Sequence, residues 1–395
     1  MTPIHQACIV SGVRTAIGSF GGALRDVPPT RLAALVAAEA VRRSALAPEA
    51  IGHVVFGSVI QTEPRDAYLA RVAAVEAGLP VGVPAMTVNR LCGSGLQAVV
   101  SAAQMIELGQ CDAALAGGAE SMSRAGYLLP SLRWGQRMGD AGAVDMLTGA
   151  LTDPFGHGHM GVTAENVSAK HGIDREMQDR FAAESHRRAA QAIAEGRFCD
   201  QILAVEVKEG RGTRTFDTDE HVRREIDATA LAALRPVFRK DGTVTAGNAS
   251  GLNDAAAALV LIEAGAAERQ GATPLARIVG YAHAGVEPSE MGIGPIPAVR
   301  RVLERTGLAI ADMDVIESNE AFAAQACAVA TELGFPPERT NPNGGAIALG
   351  HPVGASGAII LVKLVHELRR TGGRYGLATM CIGGGQGIAV VVEAA

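Results

Sequence analysis

One order of elements occurs twice in this chain, and that echo constrains the fold more than any single motif. Near the N-terminus a helix ending at Arg42 and Arg43 leads through residues 48–51 to the apolar strand 53–59. A glycine-rich turn, CGSG at 92–95, then opens a helix, and the strand AALAGGAES at 113–121 follows. Near the C-terminus a helix around 300–305 leads to a strand at 314–322. The turn GHPVGASG at 350–357 opens another helix, and GLATMCIGGG at 376–385 follows. Such a repeat predicts a duplicated unit, and two copies packed face to face would make a layered α-β-α-β-α core. Between the copies, residues 121–251 break the pattern with the loop-rich YLLPSLRWGQRMGD and an amphipathic helix at 175–195. The chain therefore divides into a first half (1–121 with 253–273), an inserted loop domain (122–252) and a second half (274–395). Alternating strands and helices read as α/β, with mostly parallel sheets and crossover helices.

Composition agrees with tight packing. Hydrophobic residues make up 48% of the 395, aromatics only 4%, and there are 48 glycines. Small and branched side chains must therefore fill the interior. A net charge of −6 gives no broad attraction to nucleic acid or to an anionic membrane. The longest apolar runs, 255–262 and 358–362, are far below a membrane span. The N-terminal stretch lacks a basic region followed by an apolar one, so a cytoplasmic location is expected. Six cysteines are scattered without a CxxC pair, which argues against disulfides and zinc knuckles.

Cys92 stands apart by its surroundings. It lies in NRLCGSGLQ, after a short strand and at the first turn of a helix. A thiol there is expected to feel the helix dipole and free N–H groups, which favour the thiolate. From the local sequence alone, a nucleophile and an ordinary small buried hydrophobe both stand. Three further segments put polar groups at turns: NEAF (319–322), GHP (350–352) and CIGGGQG (381–387). Pro352 fixes the backbone beside His351. The glycines after Cys381 free N–H groups that could hold an anionic oxygen.

Taken together, NRLCGSGLQA, GGAESMS, HMGVTAENV, TAGNASGLNDAA, MGIGPIPA, NEAFAAQ, GGAIALGHPVGASG and CIGGGQG resemble the thiolase family from end to end. They are most similar to its short-chain acetyl-CoA acetyltransferase and β-ketothiolase branch. The resemblance implies the five-layer duplicated fold with an inserted loop domain, and reversible Claisen condensation of short acyl-CoAs through an acyl-cysteine. By that resemblance Cys92 is the acylated nucleophile and His351 activates it. Cys381 moves the α-proton, and Asn319 positions a water in an oxyanion hole. The N–H groups of Cys92 and Gly383 form the other hole.

The same resemblance places coenzyme A, as substrate and product, in a tunnel. That tunnel is lined by His159, Met160, Phe238, Ala246, Ser250, Leu252, Met291, Ala321 and Phe322, with Arg223 near the nucleotide. It implies no tightly bound cofactor. One departure is Ala230, where the family often has a serine facing the adenosine. His157 and His159 share a face if extended, but no third or fourth ligand is close in sequence, so a metal is not expected. The resemblance further implies a homotetramer held partly by the 127–140 loop. The competing readings are a decarboxylating condensing enzyme on the same fold, a silent CoA-binding protein and a thioesterase.

Overall fold

The computed structural model describes residues 5–395. The first half contributes β1 (Ala7–Thr15), α1 (Pro29–Ser44), β2 (His53–Gly57), β3 (Ala85–Val88), α2 (Ser94–Glu107) and β4 (Ala113–Ser121). The middle section carries the helices α3 (Met160–His171) and α4 (Arg175–Ala194). The strand β5 (Asn253–Glu263) then returns to the first sheet. The second half contributes β6 (Ala276–Gly285), α5 (Pro295–Thr306), β7 (Met313–Ser318), α6 (Ala323–Leu333), α7 (Val353–Thr371), β8 (Tyr375–Ile382) and β9 (Gln386–Ala394).

Strand pairing makes the duplication explicit. In the first half the order is β3-β2-β4-β5-β1, with β2 parallel to both β3 and β4, and β5 antiparallel to both β4 and β1. In the second half it is β7-β8-β9-β6, with β7 parallel to β8, and β9 antiparallel to both β8 and β6. The outer strand of the first sheet shrinks in the second to one parallel bridge, Ile316 to Thr340. The two halves join edge to edge through a short antiparallel contact, Cys8 with Arg277 and Ile9 with Ala276.

The sheets are thus mixed, not mostly parallel as the sequence predicted. The reason lies in the connections. β8 turns straight into β9 across Gly383–Gly385, where Gly384 and Gly385 have φ of 78° and 83°, so no crossover helix intervenes. β5 reaches its sheet only after the long insertion. Two predicted strands also end early, because 319–322 leave the sheet as irregular backbone and 383–385 as a turn. The middle section holds more strand than expected: Val205–Glu209 and Gly212–Phe216 form a hairpin.

Five layers follow from which face each side chain takes. Along β5, Ala256, Ala258, Val260 and Ile262 pack outward against α1, while Ala255, Ala257, Leu259 and Leu261 face inward. The inner faces of both sheets close on α2 and α7. Beyond the second sheet lie Ile296, Val299 and Val302 of α5 and Val329 of α6. At their N-terminal ends α2 and α7 touch backbone to backbone. A Cβ on Gly95 would lie 2.7 Å from Ala358 N, and one on Gly357 2.3 Å from Leu96 N. Only glycine permits that approach. It brings the turn before each helix, with Cys92 in one and His351 in the other, to a single place.

Candidate active site

Cys92 is presented by a strained turn built from its neighbours. Asn89 Oδ1 accepts from Leu91 N–H at 2.9 Å. Ser94 Oγ accepts from Arg90 N–H at 2.8 Å and donates to the Leu91 carbonyl at 2.7 Å. Together these bonds hold Leu91 at a φ of 45°, a left-handed conformation that costs a branched residue about 1 kcal/mol or more. The backbone N–H groups of Gly383 and of Cys92 itself favour the ionised sulfur.

Those donors do not win. Burial pushes the Cys92 thiol up to about 11, and the nearby Glu120 carboxylate pushes the same way. A protonated resting thiol replaces the expected helix-stabilised thiolate, because desolvation outweighs two N–H groups and a helix terminus. Such a thiol is a poor nucleophile until a base takes its proton.

His351 is oriented by Ser356. The Ser356 hydroxyl donates to the Pro352 carbonyl at 2.9 Å. Its oxygen therefore accepts from His351 Nδ1–H, 2.6 Å away. That leaves Nε2 bare, and it is buried without a protein partner. Burial also pushes the imidazole down to about 4, so the resting ring is neutral at pH 7 and its bare Nε2 keeps a free lone pair. Nothing in the sequence had singled out Ser356, although its place one helical turn into α7, beside a loop histidine, was the available signal.

Cys381 stands one residue before the end of β8, 1% exposed. Burial first, then the charge of Cys92, pushes its thiol well above the usual range, so the two sulfurs are close enough to feel each other. Cys92, His351, Cys381 and Gly383 all border one cavity of about 380 Å³. Its walls are mostly apolar, and all nine tunnel residues from His159 to Phe322 line it. The His159 ring stacks on Phe238 at 4.8 Å, and Phe238 meets Phe322 edge-on at 6.1 Å. His159 Nδ1 accepts from Gly161 N–H at 3.1 Å and so caps α3.

Two expected residues stand elsewhere. Asn319 is buried behind the cavity, bordering a smaller void with Gly350 and Ser356. Its N–H donates to the Thr379 carbonyl at 2.9 Å, while its amide Nδ2 is buried and unpartnered. Arg223 is exposed and away from the cavity wall, with its backbone N–H on His186 Nδ1 at 3.1 Å. The sequence missed a whole wall: Leu147, Thr148, Ala150 and Leu151 border the cavity from the loop segment. Nothing in their local pattern marks them, because only the fold carries this segment over Cys92.

Two family models account for nearly the whole chain: the N-terminal domain of thiolase matches residues 7–265, and the C-terminal domain 272–394. The chain belongs to the thiolase family. This thiolase is 63% identical over 390 residues to the β-ketothiolase BktB of Cupriavidus necator, spanning 98% of this chain and 99% of that one. It is 50% identical over 396 residues to an acetyl-CoA acetyltransferase of Syntrophomonas wolfei, spanning 99% of each. Among solved structures it superposes on human mitochondrial 3-ketoacyl-CoA thiolase with a TM-score of 0.97 at 44% identity, covering 99% of this thiolase and 100% of that chain. The same human enzyme in complex with CoA gives 0.96, covering 99% and 98%.

Proposed function

We propose that this thiolase joins acetyl-CoA to a second short acyl-CoA, acetyl or propionyl, and cleaves the resulting 3-ketoacyl-CoA in reverse. The observation that carries this is the convergence of two cysteines and a neutral, unpartnered imidazole nitrogen on one apolar cavity. Cys92 gives its proton to His351 Nε2 and attacks the thioester carbonyl. The oxygen that gains charge lies towards the N–H groups of Cys92 and Gly383. CoA leaves as the thiol, taking the proton from His351, and an acetyl-cysteine remains. The freed His351 Nε2 then takes the proton of Cys381, whose thiolate removes the α-proton of the second acyl-CoA. The carbanion attacks the acetyl carbonyl, the bond to Cys92 Sγ breaks, and Cys92 takes back the proton from His351. Splitting the reaction at the acyl-enzyme replaces one hard step with two easier ones. The unpartnered Asn319 amide supports a water held at the second thioester oxygen.

Residues 122–252 supply most of the cavity wall, which supports their reading as a CoA-binding domain. Arg223 stays a candidate contact for the nucleotide end, where the ligand would emerge to solvent. A homotetramer is also part of this proposal. Tyr127, Leu128, Leu132, Trp134 and Met138 are exposed together, Trp134 by 91%, which is apolar surface a second copy would cover. Light scattering after size exclusion should give the mass of four chains. A monomer at micromolar concentration would remove this element.

Substrate size decides between the short-chain proposal and its long-chain rival. Met160 and Met291 are buried beside Cys381 and line the cavity. Methionine is bulky yet flexible, so it should limit length without enforcing a single chain. Thiolysis is expected to be fastest for linear four- and five-carbon 3-ketoacyl-CoAs, changing by about 1 kcal/mol per methylene until the wall is met. Met291→Ala should extend the range toward longer chains. A parent enzyme that prefers 3-ketopalmitoyl-CoA to acetoacetyl-CoA would overturn the short-chain reading.

A further inference from the structure

The duplication sets two positions side by side that the chemistry uses differently. In the first half Gly57 pairs with Gly118, which pairs with Ala257; in the second, Ser318 pairs with Thr379, which pairs with Ala389. Two residues further along the corresponding strands stand Glu120, opposite Ala255, and Cys381, opposite Gly387. Likewise Cys92 lies two residues before the start of α2, and His351 two before the start of α7. The internal symmetry thus maps the nucleophile turn onto the histidine turn and Glu120 onto Cys381.

Glu120 is fully buried, and each of its bonds crosses between segments. Oε2 accepts from Gly354 N–H at 2.9 Å and Val59 N–H at 3.1 Å, and Oε1 accepts from Ile60 N–H at 3.1 Å. The carboxylate therefore ties the loop after β2 to the first turn of α7, three residues beyond His351. A Cβ on Gly354 would stand 2.5 Å from Oε2, so glycine is what lets the carboxylate reach that N–H. All three partners are donors, and none could accept a carboxyl proton, which favours the ionised form. Burial pushes the carboxyl up to about 8, so its charge is complete in the range where the Cys92 thiol, at about 11, titrates.

We propose that Glu120 is a positioning residue for the reaction: its carboxylate straps the His351 turn to the first half and so holds the imidazole against Cys92. This rests on the roles of Cys92 and His351 set out above. The strap faces the nucleophile closely enough for its charge to oppose a thiolate at Cys92. The other titratable groups around it are Asp66, which accepts from Thr62 and Glu63, Asp254 on the neighbouring strand, which accepts from Ser123, and His351 itself.

Glu120→Gln is the test, because an amide keeps the shape but turns one acceptor into a donor facing an N–H. Acetylation of Cys92 in a single turnover should slow by about 10²-fold, as expected for a misplaced base. KM for acetyl-CoA should stay within about threefold. The pH midpoint for alkylation of Cys92 by iodoacetamide should fall, since the opposing charge is gone. Glu120→Asp keeps the charge but shortens the strap, so acetylation should slow while the alkylation midpoint stays. Gly354→Ala, which pushes the carboxylate off the turn, should slow acetylation like Glu120→Gln. Acetylation at the parent rate in Glu120→Gln overturns the proposal. So does a slow variant with an unmoved midpoint, which would mark general loosening, and so does failure of both Glu120→Gln and Gly354→Ala to fold. Absence of acetyl on Cys92 in the parent enzyme would instead remove the underlying mechanism.

Discussion

Cys92→Ala should abolish both condensation and thiolysis, by about 10⁴-fold or more. Among the described residues, Cys92 is the cysteine that combines a place on the cavity wall with two backbone N–H groups favouring its ionised sulfur. Cys381 borders the same cavity but lies deeper, with its thiol raised further above the usual range. Cys327 is also held protonated, at about 12, and borders a different cavity. Incubating the parent enzyme with acetyl-CoA, quenching in acid and mapping the peptides by mass should place one acetyl group, on Cys92. The variant should carry none while keeping its fold, since alanine removes a single sulfur atom from the wall of an existing cavity. Acetyl on Cys381 or Cys327 with none on Cys92 would reverse the assignment.

Cys381→Ser should separate the two half-reactions. If Cys381 moves only the α-proton, Cys92 and His351 keep everything they need to form the acetyl-enzyme. The variant should therefore still load Cys92 from acetyl-CoA, while ketoacyl formation falls by about 10² to 10⁴-fold, the usual range for losing a positioned acid or base. A serine hydroxyl fits the space but is a far weaker acid than a thiol, so it cannot shuttle the proton at neutral pH. His351→Ala makes the opposite case. There the loading step itself should slow, because the thiol, whose proton is held to about pH 11, loses the bare His351 Nε2 that would take it. Loss of loading in Cys381→Ser with condensation retained would exclude the proposed division of labour.

Local pattern carried much of this protein. The turn before α2, the proline beside His351 and the three glycines after Cys381 are short-range devices, so their sequences alone marked where chemistry could sit. The duplicated order of elements was legible for the same reason, since each copy repeats its own strand, turn and helix signals. The balance of parallel and antiparallel pairing was not. It depends on β5 returning after a long insertion, which no window of sequence contains.

Tertiary structure alone decided how the groups behave. The sequence placed Cys92 at a helix terminus and so pointed to a thiolate. Burial beside apolar side chains and Glu120 made it a thiol instead, because desolvation is a property of the packed neighbourhood and not of the helix. It also set the free nitrogen of His351, since Ser356 acts through a hydroxyl whose proton is already committed to Pro352. Arg223 illustrates the limit from the other side. Its match to a family position named a charge, but an exposed segment leaves that side chain outside the cavity wall. Glu120 was visible only as part of GGAES. Its partners at 59, 60 and 354 lie far away in sequence: the pairing of β2 beside β4 brings the first two, and only the packing of the two halves adds the third.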